Sequence, residues 1–183
     1  MAYIPLLTGV LPPEGLTDGV NVLINQINAN CTMAGLPQSV AAAALTTAFS
    51  QASNTTLANL VGLSLPLVAG GTYRIRGQLQ GTAAASGGIK AALTAASGLT
   101  LTLTSANVTG WNYNGSTLNA VTNVTALGSD FSNSAAAYTN LLFDGSFVVN
   151  AAGSVQLQAA QNTSNATATT VALGSYVEVL RIA

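Results

Sequence analysis

Histidine is absent from this 183-residue chain, and Cys31 is its one cysteine. Without histidine there is no serine–histidine triad and no imidazole acid or base; with one cysteine there is no disulfide framework and no Cys/His zinc site. Charge is almost missing too. Asp, Glu, Lys and Arg together fill 5% of the positions, against about 25% in ordinary soluble domains. Four basic and five acidic side chains leave a net charge of −1, so there is no basic surface for a phosphate backbone, and no nucleic-acid partner is expected. Long apolar runs are lacking as well. The most apolar stretch, residues 57–68, is broken by Asn59, Ser64 and Pro66 and falls short of the roughly 20 residues that span a bilayer, so no membrane partner is expected. The opening Met1-Ala2-Tyr3-Ile4-Pro5-Leu6-Leu7-Thr8 has neither a positive n-region nor a long apolar h-region, which predicts no secretory signal and release into the cytoplasm.

Hydrophobic residues, by contrast, take 49% of the chain. A free monomer normally stays dispersed by means of a charged, patch-free surface. Here the exterior has to be built from Ser, Thr, Asn and Gln, with apolar patches covered by contacts between subunits. An obligate assembly is therefore expected, and disorder, which pairs low hydrophobicity with high net charge, is not. The seven Asn-X-Ser/Thr triplets, among them Asn107, Asn123 and Asn162, follow from the abundance of these residue types.

Two segments differ in period. In residues 1–55, Leu16, Val20, Leu23, Ile24 and Ile27 fall at helical spacing behind Thr17 or Asp18 as cap, and Ala41, Leu45, Ala48, Phe49 and Ala52 repeat the pattern after Gly35 and Pro37. This predicts an N-terminal arm, extended or carrying one or two short helices. From about residue 56 the period becomes two. Val61, Leu63, Leu65 and Leu67 alternate with smaller residues, with Pro66 indicating an edge or a strand end. Tyr73, Ile75 and Leu79 alternate with Arg74, Arg76, Gln78 and Gln80, with Gly77 expected to mark a bulge. Leu99, Leu101 and Leu103 alternate with threonines, and Phe147–Val149 and Val155–Ala159 flank a turn at residues 150–153. Residues 167–173 and 176–182 make the last strands, the final one apolar on both faces, as at a covering subunit or a symmetry axis. Short strands between Gly, Asn and Ser turns, with no helices between them, predict a mainly β fold: an antiparallel β-sandwich, a jelly roll of about eight strands over residues 56–183.

Candidate chemistry is sparse. Asp130 and Asp144 are the one acidic pair in predicted loops, where a hydrolase would need two facing carboxylates; the simpler reading makes each a turn residue beside glycine. Gly87-Gly88 before Lys90 lacks the spacing of a phosphate loop. Catalytic, metal and cofactor sites are accordingly not expected. Glu178, sharing a face with Tyr176 and Leu180, either points outward at a strand edge or meets Arg74 or Arg76, in the same chain or in a symmetry mate. Trp111 and Tyr113, in Trp111-Asn112-Tyr113-Asn114-Gly115-Ser116, either form a receptor loop that stacks on sugars or place Trp111 in the core beside an Asn114-Gly115 hairpin turn.

Gly71-Thr72-Tyr73-Arg74, Ser86-Gly87-Gly88-Ile89-Lys90, Gln161-Asn162 and the closing Gly174-Ser175-Tyr176 together resemble the β-sandwich domains of tailed-bacteriophage virion proteins, over about residues 57–182. Such domains occur in capsid decoration (cement) proteins, head fibres and tail fibres, often as trimers of tumour-necrosis-factor-like jelly rolls. The resemblance implies a non-enzymatic homotrimer in the virion, in contact with the major capsid protein or another virion protein. A short chain with an arm fits a decoration protein that stabilises the head; the alternative is a short head or tail fibre that binds a host receptor.

Overall fold

In the computed structural model the described residues are 40–96, 102–134 and 136–183. They form twelve strands: β1 (Val40–Ala44), β2 (Phe49–Gln51), β3 (Ala58–Leu67), β4 (Gly71–Thr82), β5 (Ile89–Ala95), β6 (Thr102–Asn114), β7 (Thr117–Val124), β8 (Asp130–Ser134), β9 (Asn140–Ala151), β10 (Gly153–Ala160), β11 (Thr169–Val171) and β12 (Tyr176–Arg181). All lie in one compact unit, Ser39–Ala183. The expected helix over residues 16–27, Cys31 and the leucines of 99–101 lie outside the described residues.

The strands make two antiparallel sheets. The larger has eight strands, in the order β1-β12-β4-β9-β6-β7 with β2 and β11 attached beside the end of β4; the smaller runs β3-β10-β5-β8. Without the β6–β7 hairpin, β2 and β11, the remaining eight strands divide four and four, in the orders β1-β12-β4-β9 and β3-β10-β5-β8, as two interlocked Greek keys, which is the jelly roll the periodicity predicts. The β6–β7 hairpin extends the larger sheet beyond β9.

The core lies between the sheets. Ile75 and Leu79 of β4, Leu141, Phe143 and Phe147 of β9, and Val177 and Val179 of β12 meet Leu63 and Leu65 of β3, Ile89 and Leu93 of β5, Phe131 of β8 and Leu157 of β10. Aromatics are few, but three of the four phenylalanines are here; Phe131 and Phe143 are tilted, with centroids 5.0 Å apart, a geometry that adds to area burial. Tyr138 is also buried, and its hydroxyl donates to the Thr170 carbonyl.

The structure corrects several expectations. The alanine-rich segment read as a second helix forms β1 and β2 instead. Ala41, Ala43 and Leu45 turn toward the core while Ala42 and Ala44 are exposed, and β1 pairs with β12 from Val40↔Leu180 to Ala44↔Tyr176. Filling the open edge of β12 outweighs the local helical preference of alanine, which is a weak prior. In β3, Val61 is exposed and Leu60 is buried instead. The register against β10 jumps between Ser64↔Gln156 and Asn59↔Gln158, and Gly62 takes φ +94 in the resulting bulge. Gly77 is not a bulge: β4 runs in unbroken register past both β9 and β12, and a Cβ there would collide with the Phe143 ring and the Tyr176 carbonyl. Asp144-Gly145 is likewise no turn but lies within β9.

Candidate functional site

Alternation along β4, β9, β12 and β6 places one set of side chains in the core and the other on the outer face of the larger sheet. Residues directly opposite each other on neighbouring strands share a face, so the register defines rows running across that face. One row is Ala44, Tyr176, Gln78, Leu142, Trp111 and Val121. The next is Ala42, Glu178, Arg76, Asp144, Thr109 and Asn123. Arg74 lies one row further on, between Leu180 and Ser146.

The first row is largely apolar and solvent-facing: Val121 is 55% exposed, Leu142 38% and Tyr176 37%. Trp111 is half-buried on this outer face, not in the core. Tyr113 sits at the end of β6, opposite Leu118, next to a two-residue turn at Gly115-Ser116. That turn is one residue beyond the expected Asn114-Gly115.

The second row is charged. Arg76 bonds Glu178 through Nε and Oε1, the partners facing each other across β4 and β12. Arg74 donates to Oδ2 of Asp144 from Nη2 at 2.6 Å and from Nε at 3.1 Å. The hydrogen bond to Asp144, and then its charge, hold the Arg74 guanidinium above its ordinary pKa. Both arginines thus sit on the strand, each within reach of a carboxylate, on one face. A surface hollow of about 120 Å³ lies beside them, lined by Arg74, Arg76, Glu178, Val179 and Leu180.

Asp130 belongs to β8 in the smaller sheet, where Lys90 Nζ approaches Oδ2 at 3.9 Å, whereas Asp144 lies on the outer face of the larger sheet. The pair a hydrolase would need is therefore not assembled. Among the described residues no group of three or more His, Cys, Asp or Glu is placed to hold a metal ion, and no helix is long and apolar enough to cross a membrane. The void beside Phe131 and Phe147 measures about 10 Å³ and is apolar, too small for a ligand.

Sequence reasoning singled out Arg74, Arg76, Glu178, Trp111 and Tyr113, which lie on or beside this face, but not Leu142 or Val121, and it did not foresee the pairing of Asp144 with Arg74. The alternation Leu142, Asp144, Ser146 was the available signal; Leu141 and Phe143 on either side of Leu142 hid it.

No family model matches the chain, and no curated protein matches it. Solved structures give weak likenesses: the Gt strain of infectious bursal disease virus, at 13% identity and a TM-score of 0.23, covers 79% of this chain and 42% of the other. The VP2 subviral particle of the same virus, at 12% identity and a TM-score of 0.22, covers 79% and 41%. The chain thus spans about two fifths of the length of those proteins, and a likeness of this size carries no conclusion about activity.

Proposed function

We propose that this chain is a structural protein of the virus particle: a capsid decoration (cement) protein of a tailed bacteriophage that assembles as a homotrimer on the head, contacts the major capsid protein and stabilises the shell. The observation that carries this reading is a jelly roll in a chain with 5% charged residues that, among the described residues, leaves eight large apolar side chains exposed. Such a surface is poorly suited to a free monomer and well suited to a repeated lattice. Apolar contacts keep their strength at salt concentrations that screen surface ion pairs. If each copy removed about 1,000 Å² of apolar surface from water, the gross gain would be about 25 kcal/mol before ordering costs. The reading assigns no catalytic role, in keeping with the separation of Asp130 and Asp144 on different sheets.

A second reading is a short head or tail fibre. It is favoured by the position of Tyr113 and Leu118 next to the tip of the β6–β7 hairpin, where aromatic and apolar groups would meet a host glycan. Gold labelling of purified particles separates the two: labels spread over the head support decoration, and labels confined to the tail support the fibre. Absence of the protein from purified particles overturns both.

A further inference from the structure

We infer that copies of this chain meet through the outer face of the larger sheet. This inference rests on the self-assembling reading above and names the surface that assembly uses. The apolar row crosses five successive strands without a charge: Tyr176, Gln78, Leu142, Trp111 and Val121. Among the described residues, Val68 and Leu173 are also exposed but lie off this row.

Charge identifies the occupant as a second copy. Four of the chain's nine charged side chains stand on this face, two of each sign. Glu178 and Asp144 flank Arg76 in one row, and Arg74 occupies the next. A face of one sign would repel its own image and call for an oppositely charged partner. A neutral face that carries both signs can instead be set against its own copies with guanidinium near carboxylate, around a three-fold axis as well as a two-fold one. The in-chain pairs with Arg76 and Arg74 already neutralise the carboxylates, which lowers the cost of removing them from water. Tryptophan, tyrosine and arginine are also the residue types that dominate interface energetics. The hollow beside Arg74 and Glu178 offers a socket for a side chain of the other copy.

The test compares full-length wild-type protein with Leu142→Lys and Val121→Lys on the face and with Val68→Lys and Leu173→Lys elsewhere, by light scattering at micromolar concentration. Retention of a cooperative melt verifies each fold. The inference predicts that wild type and the two controls share a multimeric mass, and that both face variants associate at least about 100-fold more weakly. Folded face variants that keep the wild-type mass overturn the assignment of this face and leave self-assembly standing. A wild type of single-chain mass overturns both. The chain's one tryptophan supplies a readout that needs no substitution: Trp111 emission shifts to the red as wild type dissociates on dilution, and emission unchanged through dissociation overturns the inference.

Discussion

Replacing Gln156 by leucine tests how the β3 bulge is held. On β10 the Gln156 side chain is buried, and its Nε2 donates to the carbonyls of Leu60 at 3.0 Å, Leu63 at 3.1 Å and Leu157 at 2.8 Å. An amide nitrogen has two protons, so the three acceptors share them. Residues 60–63 of β3 have no register partner on β10, and the Leu60 and Leu63 carbonyls there accept from this side chain. Leucine has nearly the same volume and no donor. Each buried carbonyl left without a partner costs about 1–3 kcal/mol; for two, partly offset by the added apolar contact, the expected loss is about 3 kcal/mol. In a unit of this size that lowers Tm by about 6–12 °C. Gln158→Leu is the control, because Gln158 donates to Asn59 Oδ1 at 2.7 Å in an exposed setting and its loss should stay within about 0.5 kcal/mol. Calorimetry of the three proteins at one concentration, to hold any association constant, decides the matter. A Q156L melt within about 2 °C of wild type, or equal losses for Q156L and Q158L, refutes the argument.

Two further perturbations probe the core and its titration. Gly77→Ala places a methyl group against the Phe143 ring and the Tyr176 carbonyl; overpacking of this kind should cost about 2–3 kcal/mol in urea denaturation, and a neutral effect would show that β4, β9 and β12 pack more loosely than described. Burial pushes the Tyr138 hydroxyl well above its ordinary pKa, so the folded state retains a proton that the unfolded state releases above about pH 10. Stability from this group is therefore complete below about pH 10 and declines as pH rises beyond it, by up to about 1.4 kcal/mol per pH unit. Tyr138→Phe, which also loses the bond to Thr170, should be less stable at neutral pH but flatter above pH 10 in a denaturant series; parallel alkaline limbs would contradict this.

The sandwich was legible where strands carry their burial in alternation, above all in β4 and β12. Tyr73, Ile75 and Leu79 point inward and Arg74, Arg76, Gln78 and Gln80 outward from the residue order alone, as do Val177 and Val179 against Glu178. Legibility failed where a neighbour decides the conformation. Ala41–Ala44 could satisfy a helix or a strand, and only the open edge of β12 selects the strand. Val61 looked inward until Gly62 inserted its bulge. Gly77 signalled an irregularity, whereas its lack of a side chain makes room for the Phe143 ring, which arrives from a strand 66 residues later in the sequence. The outer face was half readable: Arg74, Arg76 and Glu178 stood out because charge is scarce, but the row joining Tyr176, Gln78, Leu142, Trp111 and Val121 exists only once β12, β4, β9 and the β6–β7 hairpin take their register.

Sedimentation velocity of the untagged full-length chain, at low salt and again near 1 M, tests the central claim most directly. The account predicts a three-chain species at both salt concentrations, since apolar contacts carry the association and are not screened. A freely soluble one-chain species at micromolar concentration would contradict it.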